Sequence, residues 1–173
     1  GGLCPGLNDV IRAIVRCLNT RYGVKTIKGY QYGFHGFFAE EGYEPIELDR
    51  YLIDEIHKIG GTYLGTSRGG GQRVSEIVDC LERDGINMLF ILGGDGTQRG
   101  SYDIACEVEK RGIKCAVVGV PKTVDNDLMF IDRSFGFETA IGSFSDICFI
   151  CPEWGVAGVN LSIGYENEHT LQE

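Results

Sequence analysis

The sequence predicts an α/β fold with a mainly parallel sheet, on three observations. Met88-Leu89-Phe90-Ile91-Leu92 and Cys115-Ala116-Val117-Val118 are short, continuous apolar runs bounded by glycines or Pro121, the pattern of strands buried on both faces. Between them Ile104, Ala105 and Val108 mark a helix stopped by Gly112, so the order is strand, helix, strand with the crossover that parallel neighbours require. Glycine- and carboxylate-bearing loops follow both runs, at the carboxyl ends of strands where open α/β sheets bind their ligands.

Taken in order, Ile11, Ile14, Val15 and Leu18 recur at the spacing of one helical face, and Gly23 closes that first helix. Val24 to Tyr30 mixes β-branched residues with Lys25 and Lys28 and reads as a strand; Tyr30 to Phe38 is a Gly-aromatic stretch without periodicity and reads as a loop. Leu52, Ile56 and Ile59 form a second helical stripe ending at Gly60-Gly61. Ile77, Val78 and Leu81 form a third that ends near Gly85.

Composition bounds what such a chain can be. At 173 residues it has room for one domain with a hydrophobic core and not for two complete ones. With 43% hydrophobic and 24% charged residues it is too polar to span a membrane, and a net charge of -9 opposes nucleic-acid binding, which depends on neutralised phosphates. Small phosphates need only local donors, which glycine loops at helix N-termini supply. Seven cysteines, an odd number set in apolar stretches such as Cys17, Cys80, Cys106 and Cys115, suit buried thiols in a reducing compartment rather than a disulfide framework. The opening Gly1-Gly2-Leu3-Cys4-Pro5-Gly6 shows neither an initiator Met nor a signal peptide, and the strand that should feed such a loop is absent, so the chain is expected to be a fragment.

Three loops carry chemistry. In Gly93-Gly94-Asp95-Gly96-Thr97 the bare backbone lets a phosphate approach a helix N-terminus. A carboxylate there is repulsive unless a cation intervenes, which assigns Asp95 to Mg²⁺; the alternative is a tight turn with Asp95 capping the next helix. Pro121-Lys122-Thr123-Val124-Asp125-Asn126-Asp127 offers a carboxylate able to accept a hydroxyl proton, Asp125, and a cation for a transferring phosphoryl group, Lys122. A solvated Asn-Asp turn is its alternative. Arg68, within Gly65-Thr66-Ser67-Arg68-Gly69-Gly70-Gly71, suits bidentate contact with phosphate oxygens, or is a surface arginine in a mobile loop. Cys148-Phe149-Ile150-Cys151 has the spacing of half a zinc site but lacks a second ligand pair, and Phe149, Ile150 and Trp154 suggest an apolar patch.

Five motifs occur in order: Gly-Gly-Leu-Cys-Pro-Gly-Leu-Asn at 1 to 8, Leu-Gly-Thr-Ser-Arg-Gly-Gly at 64 to 70, Gly-Gly-Asp-Gly-Thr-Gln-Arg-Gly at 93 to 100, Pro-Lys-Thr-Val-Asp-Asn-Asp at 121 to 127, and Ser-Phe-Gly-Phe-Glu-Thr-Ala at 134 to 140. Together they resemble the phosphofructokinase family, most closely its plant-type ATP-dependent branch, from Gly1 to about Ala140. The resemblance implies a Rossmann-like three-layer sandwich, incomplete relative to the family, with a nucleotide-binding domain at 1–140 lacking its first strand and a divergent tail at 141–173. It implies transfer of the γ-phosphoryl group of ATP to the C1 hydroxyl of fructose 6-phosphate in glycolysis, with Asp125 as general base and Asp95 holding magnesium. Arg68 and Lys122 would meet the transferring group, Gly2, Gly94, Gly96 and Thr97 would border the nucleotide, and Thr123 and Asp127 would line the sugar side.

Within the family, glycine at the place of Gly96 leaves room for the α-phosphate of ATP where pyrophosphate users carry aspartate, whereas Lys122 is shared with pyrophosphate users; the plant-type ATP branch combines the two. NAD kinases and lipid kinases also carry a Gly-Gly-Asp-Gly-Thr loop, but the loops at Leu64 and Pro121 argue against them. The family's second domain, with its arginines for the sugar phosphate, is missing after Ala140, so the fragment is expected to be inactive or to bind nucleotide without turnover. Family members are homo-oligomers; the cytosol is the expected location, with a plastid the alternative.

Overall fold

A computed structural model describes residues 1–130 and 134–137. The first helix, α1 (Leu7–Arg21), starts where Gly6 turns at φ 85° and buries Leu7, Asn8, Ile11, Val15 and Leu18 on one stripe. Asn8 is polar and buried because it ties the helix to a distant segment: its amide donates to Ile59 O at 2.9 Å, and its oxygen accepts from Tyr63 N–H at 2.7 Å.

The expected strand over Val24 to Tyr30 shrinks to β1 (Lys28–Gly29), which pairs antiparallel with β2 (Ile46–Glu47) outside the main sheet. Its β-branched residues mark a largely exposed segment, since one flank alone is covered. The Gly-aromatic loop is more ordered than its composition implies. Two 3₁₀ turns, Gly33–Phe37 and Ala39–Glu41, drive Phe34, Phe37 and Phe38 into the core.

The second stripe is not one helix. Asp49 accepts from Leu52 N–H at 2.7 Å and caps a single turn, α2 (Arg50–Ile53); a 3₁₀ turn, Ile56–Lys58, follows. The buried pair is Ile53 and Ile56, whereas Ile59 is 55% exposed. The third stripe forms α3 (Val74–Arg83) as expected, burying Ile77, Val78, Cys80 and Leu81.

The centre is β3 (Met88–Gly93), α4 (Asp95–Lys110) and β4 (Ala116–Pro121), with the strands parallel and in register from Met88↔Ala116 to Gly93↔Pro121. Side chains alternate across β3. Leu89 and Ile91 join Ile77, Leu81, Ile104 and Val108 of α3 and α4, while Leu92 packs towards Ile11, Val15, Ile53 and Ile56 on the other face. Helices thus cover both faces of β3, giving three layers.

β4 departs from the expectation of burial on both faces. Val118 is 40% exposed, because the described residues supply no cover for that side. The second edge of β3 borders an apolar cavity of about 430 Å³, walled by Ile11, Val15 and Leu18 of α1 and by Phe90 and Leu92. Of the cysteines, Cys4 and Cys80 are buried, Cys17 and Cys115 half-buried, and Cys106 exposed; Cys106 sits on the outer side of α4, so it does not fit the expected pattern of buried thiols. All are free thiols among the described residues. Cys148, Cys151, Phe149, Ile150, Trp154 and the tail at 141–173 lie outside the described residues. No described helix is long and apolar enough to cross a membrane.

Candidate active site

The site is assembled at the carboxyl ends of β3 and β4. β3 ends at Gly93, and α4 begins two residues later with Gly94 as its N-cap and no side chain capping it. Two stretches of chain meet closely here because side chains are missing: a Cβ on Gly93 would lie 2.4 to 2.6 Å from the Thr97 side chain, and one on Gly1 would lie 2.9 Å from Thr97 Oγ1 and 3.0 Å from Gly93 Cα. The bare start of α4 opens on a cleft of about 600 Å³ bordered by Gly2, Arg68, Asp95, Gly96, Thr97 and Lys122, and its unpaired N–H groups make it a ready site for anions. The capping alternative for Asp95 is set aside: the carboxylate is exposed in the first turn and accepts no hydrogen bond among the described residues.

The second loop is pinned from within. Lys122 N–H donates to Gly93 O at 3.0 Å, tying this loop to the first. Buried Thr123 is its hub: the hydroxyl donates to Asp127 Oδ1 at 2.6 Å and accepts from Asp125 N–H at 3.0 Å, while its carbonyl accepts from Phe137 N–H at 2.9 Å. Asn126, at φ 52°, accepts from the Ser134 N–H and hydroxyl, each at 3.2 Å. A merely solvated turn would not be held this way. Asp125 is left exposed at the loop's outer side, and the Thr123 hydroxyl and Asp127 are engaged with each other.

The Arg68 loop rests on the 3₁₀ segment. Gly65, at φ +69°, lies against the Tyr32 ring; the Ser67 hydroxyl donates to Tyr32 O; and His35 bridges Glu41 Oε1 (Nδ1, 2.9 Å) and Arg68 O (Nε2, 3.2 Å). Its backbone is therefore tethered rather than mobile, while the Arg68 guanidinium stays exposed and makes no ion pair among the described residues. Cys4 lies behind the cleft. Burial pushes its thiol up to about 11, with the Lys122 charge pulling the other way.

Among the described residues no three His, Cys, Asp or Glu side chains cluster to hold a metal. Asp95 and, further along its wall, Asp103 border the cleft, a pair of carboxylates that fits Mg²⁺ shared with substrate phosphates.

The cleft gathers Gly2, Arg68, Gly94, Asp95, Gly96, Thr97 and Lys122 from four separate stretches of chain, while Thr123, Asp125 and Asp127 stand on the neighbouring loop outside its lining. The sequence reading missed the supports. Phe34, Gln72, Arg99 and Asp103 also border the cleft, and Tyr32 and His35 hold its arginine loop. Gln98, inside the third motif, donates to Gly93 O at 2.9 Å. No periodicity or composition signals these roles.

The crossover, the layers and the loops at the strand ends define a Rossmann-like α/β domain with a cleft at the head of its sheet. The phosphofructokinase family model matches residues 1–150, and the chain belongs to that family. It is 60% identical over 141 residues to the ATP-dependent 6-phosphofructokinase of Borreliella burgdorferi, covering 82% of this chain and 31% of that protein. It is 53% identical to ATP-dependent 6-phosphofructokinase 1 of Arabidopsis thaliana and 52% to the Trypanosoma cruzi enzyme, each over 82% of this chain and 29% of the relative. The chain thus spans about a third of the length of these relatives.

Among solved structures it is similar in fold to the pyrophosphate-dependent phosphofructokinase of Marinobacter aquaeolei, with a TM-score of 0.72 and 22% identity over 88% of this chain and 39% of that one. The Pichia pastoris phosphofructokinase in the T-state gives 0.68 and 24% over 87% and 17%.

Proposed function

We propose that this chain is the nucleotide-binding part of an ATP-dependent 6-phosphofructokinase, which moves the γ-phosphoryl group of ATP onto the C1 hydroxyl of fructose 6-phosphate. The observation that carries this reading is the joining of two loops, one bearing Asp95 and one bearing Lys122 and Asp125, through the single carbonyl of Gly93 at the edge of one cleft. Phosphoryl transfer needs positioned groups and charge stabilisation more than covalent chemistry, and the cleft offers both.

In this mechanism the α4 N-terminus and Gly2, Gly94, Gly96 and Thr97 receive the phosphate chain. Arg68 and Lys122 offset charge on the γ-phosphoryl group as it leaves the β-phosphate for the sugar oxygen. Asp125 accepts the C1 hydroxyl proton as that oxygen bonds to phosphorus, and Thr123 and Asp127 hold its loop on the sugar side. Asp95 would hold magnesium, which when bound neutralises charge on the β- and γ-phosphates. Gly96 supports ATP over pyrophosphate, since a side chain there would project into open space at the cleft.

The same reading accounts for the apolar cavity beside β3: a further strand of the longer protein, parallel to β3 and leading into Gly1, fits it, and Gly1 N already donates to Leu92 O at 3.5 Å. Residues 1–140 then form the nucleotide-binding domain. The relatives include both bacterial and chloroplast forms, so the cytosol is the proposed compartment and a plastid the alternative.

A second reading, nucleotide binding without turnover, is favoured by the position of Asp125, which with Thr123 and Asp127 stands outside the lining of the cleft. The test is calorimetric titration of the chain with MgATP beside an assay for fructose 6-phosphate-dependent ADP release, with pyrophosphate as alternative donor and with Arg68→Ala, Lys122→Ala and Asp125→Asn. MgATP binding weakened by the first two variants supports the reading. Turnover abolished by Asp125→Asn extends it to catalysis by this chain, and absence of MgATP binding refutes it.

A further inference from the structure

We propose that Gln98 is a positioning residue for phosphate binding, acting through the Gly93–Gly94 peptide; the inference rests on the nucleotide reading above. Gln98 lies in the first turn of α4, and its side chain folds back over the end of the sheet, where Nε2 donates to Gly93 O at 2.9 Å. The same carbonyl accepts from Lys122 N–H at 3.0 Å. One oxygen thus joins β3, the second loop and α4.

The consequence follows from peptide geometry. In a planar trans peptide the C=O and the following N–H point in opposite directions. With Gly93 C=O held towards β4 and Gln98, Gly94 N–H is turned the other way, towards Gly1 and the cleft; a Cβ on Gly1 would lie 3.4 Å from Gly94 N. Gly94 is also the N-cap of α4, so this N–H lies at the positive end of the helix dipole. Rotation of this peptide would withdraw the donor from the cleft.

A second position is shaped to the same lock. A Cβ on Gly119 of β4 would fall 2.1 Å from Gln98 Oε1, so the amide occupies the space that any other residue at 119 would fill. An alanine there displaces the glutamine without altering it, because the colliding atom is the end of a flexible side chain.

The test compares the unaltered chain with Gln98→Met, which keeps bulk and loses the donor, and with Gly119→Ala. MgATP affinity is measured by calorimetry, and the ¹H–¹⁵N signals of Gly94 and Gly96 are followed during the titration. Loss of one positioned donor predicts affinity about fivefold weaker in both variants. The Gly94 response is lost while that of Gly96 persists, and the melting temperature moves little. Unchanged affinity and an intact Gly94 response in either variant overturn the proposal. So does a parallel loss of both responses, which marks general loosening. If the unaltered chain itself fails to bind MgATP, it is the nucleotide reading that falls, and this inference with it.

Discussion

Replacing Gly96 with aspartate separates stability from binding. Gly96 lies in the first turn of α4, outside the left-handed region of backbone conformation, and an added Cβ meets no atom within 4 Å. An aspartate therefore enters without collision. Exchanging a helical glycine for aspartate gains about 0.3 kcal/mol in propensity, and a carboxylate at a helix N-terminus gains about 0.3 to 1 kcal/mol. Repulsion from Asp95 next to it offsets part of this, so the melting temperature is expected to hold steady or rise by up to about 3 °C.

Binding moves the opposite way. A new carboxylate about 5 Å from a phosphate oxygen costs about 0.8 kcal/mol per charge pair in a watery medium and about 3 kcal/mol at an effective dielectric of 20. MgATP should bind about 4- to 150-fold more weakly, and magnesium pyrophosphate, which has no α-phosphate, should lose less. Calorimetry with both ligands and a thermal melt of the same samples read the outcome. An unchanged MgATP affinity would show that the phosphate chain does not run past Gly96, and a melt lowered by more than about 3 °C would show that the space there is not open.

Three further outcomes follow from the packing and charge around the site. Gly136 sits at φ +94°, and a Cβ there would lie 2.4 Å from Thr123 O, so Gly136→Ala should cost at least about 2 kcal/mol in urea denaturation; a loss below about 0.5 kcal/mol would contradict the Thr123–Gly136 pairing. Cys4, pushed up to about 11, should be alkylated far more slowly at pH 8 than exposed Cys106, with only about one thiol in a thousand ionised; equal rates in mass-spectrometric labelling would contradict its burial. Burial works to raise the Asp84 pKa, but hydrogen bonds from Tyr30, Arg83 and Lys28 hold it below the ordinary carboxylate value. A lowered folded value means that this stabilisation is complete above the unfolded pKa and is lost as pH falls through the folded one. Melting of the unaltered chain should accordingly decline more steeply below about pH 4 than that of Asp84→Asn, and parallel acid limbs would refute this coupling.

What the sequence made legible was local. The Met88 run, the Ile104 helix and the Ile77 stripe each carry their own period and stop signal, and each appears where its pattern lies. Val24 to Tyr30 misled because β-branched residues mark a strand only where a neighbour pairs with them, and pairing here reaches Lys28 and Gly29 alone. The stripe at Leu52 misled by one residue. Asp49 caps early, the helix closes after Ile53, and Ile53 takes the core position assigned to Leu52, while Ile56 is buried as expected and Ile59 is exposed. At the site, the loops were legible as glycine and carboxylate clusters, but their supports were not. Tyr32 reaches Ser67 and His35 reaches Arg68 across 33 or more positions, and contacts of that separation leave no mark in a local pattern.

The glycines of the third motif show why composition alone could not assign its parts. Gly93 and Gly96 are the same residue three positions apart, yet their missing side chains serve different ends. At Gly93 the space of a side chain is already taken by Thr97, so the glycine lets the protein close on itself and hold the loop before any ligand arrives. At Gly96 that space is empty and faces the cleft, so no described residue requires glycine there, and on the proposed function the open space serves what binds. A substitution at the first should therefore disturb the strand end itself, and one at the second should disturb ligand binding with the fold intact. On the proposed function, preorganisation is confined to the residues that set the cleft's walls, and the open position selects the phosphate chain that fits between them.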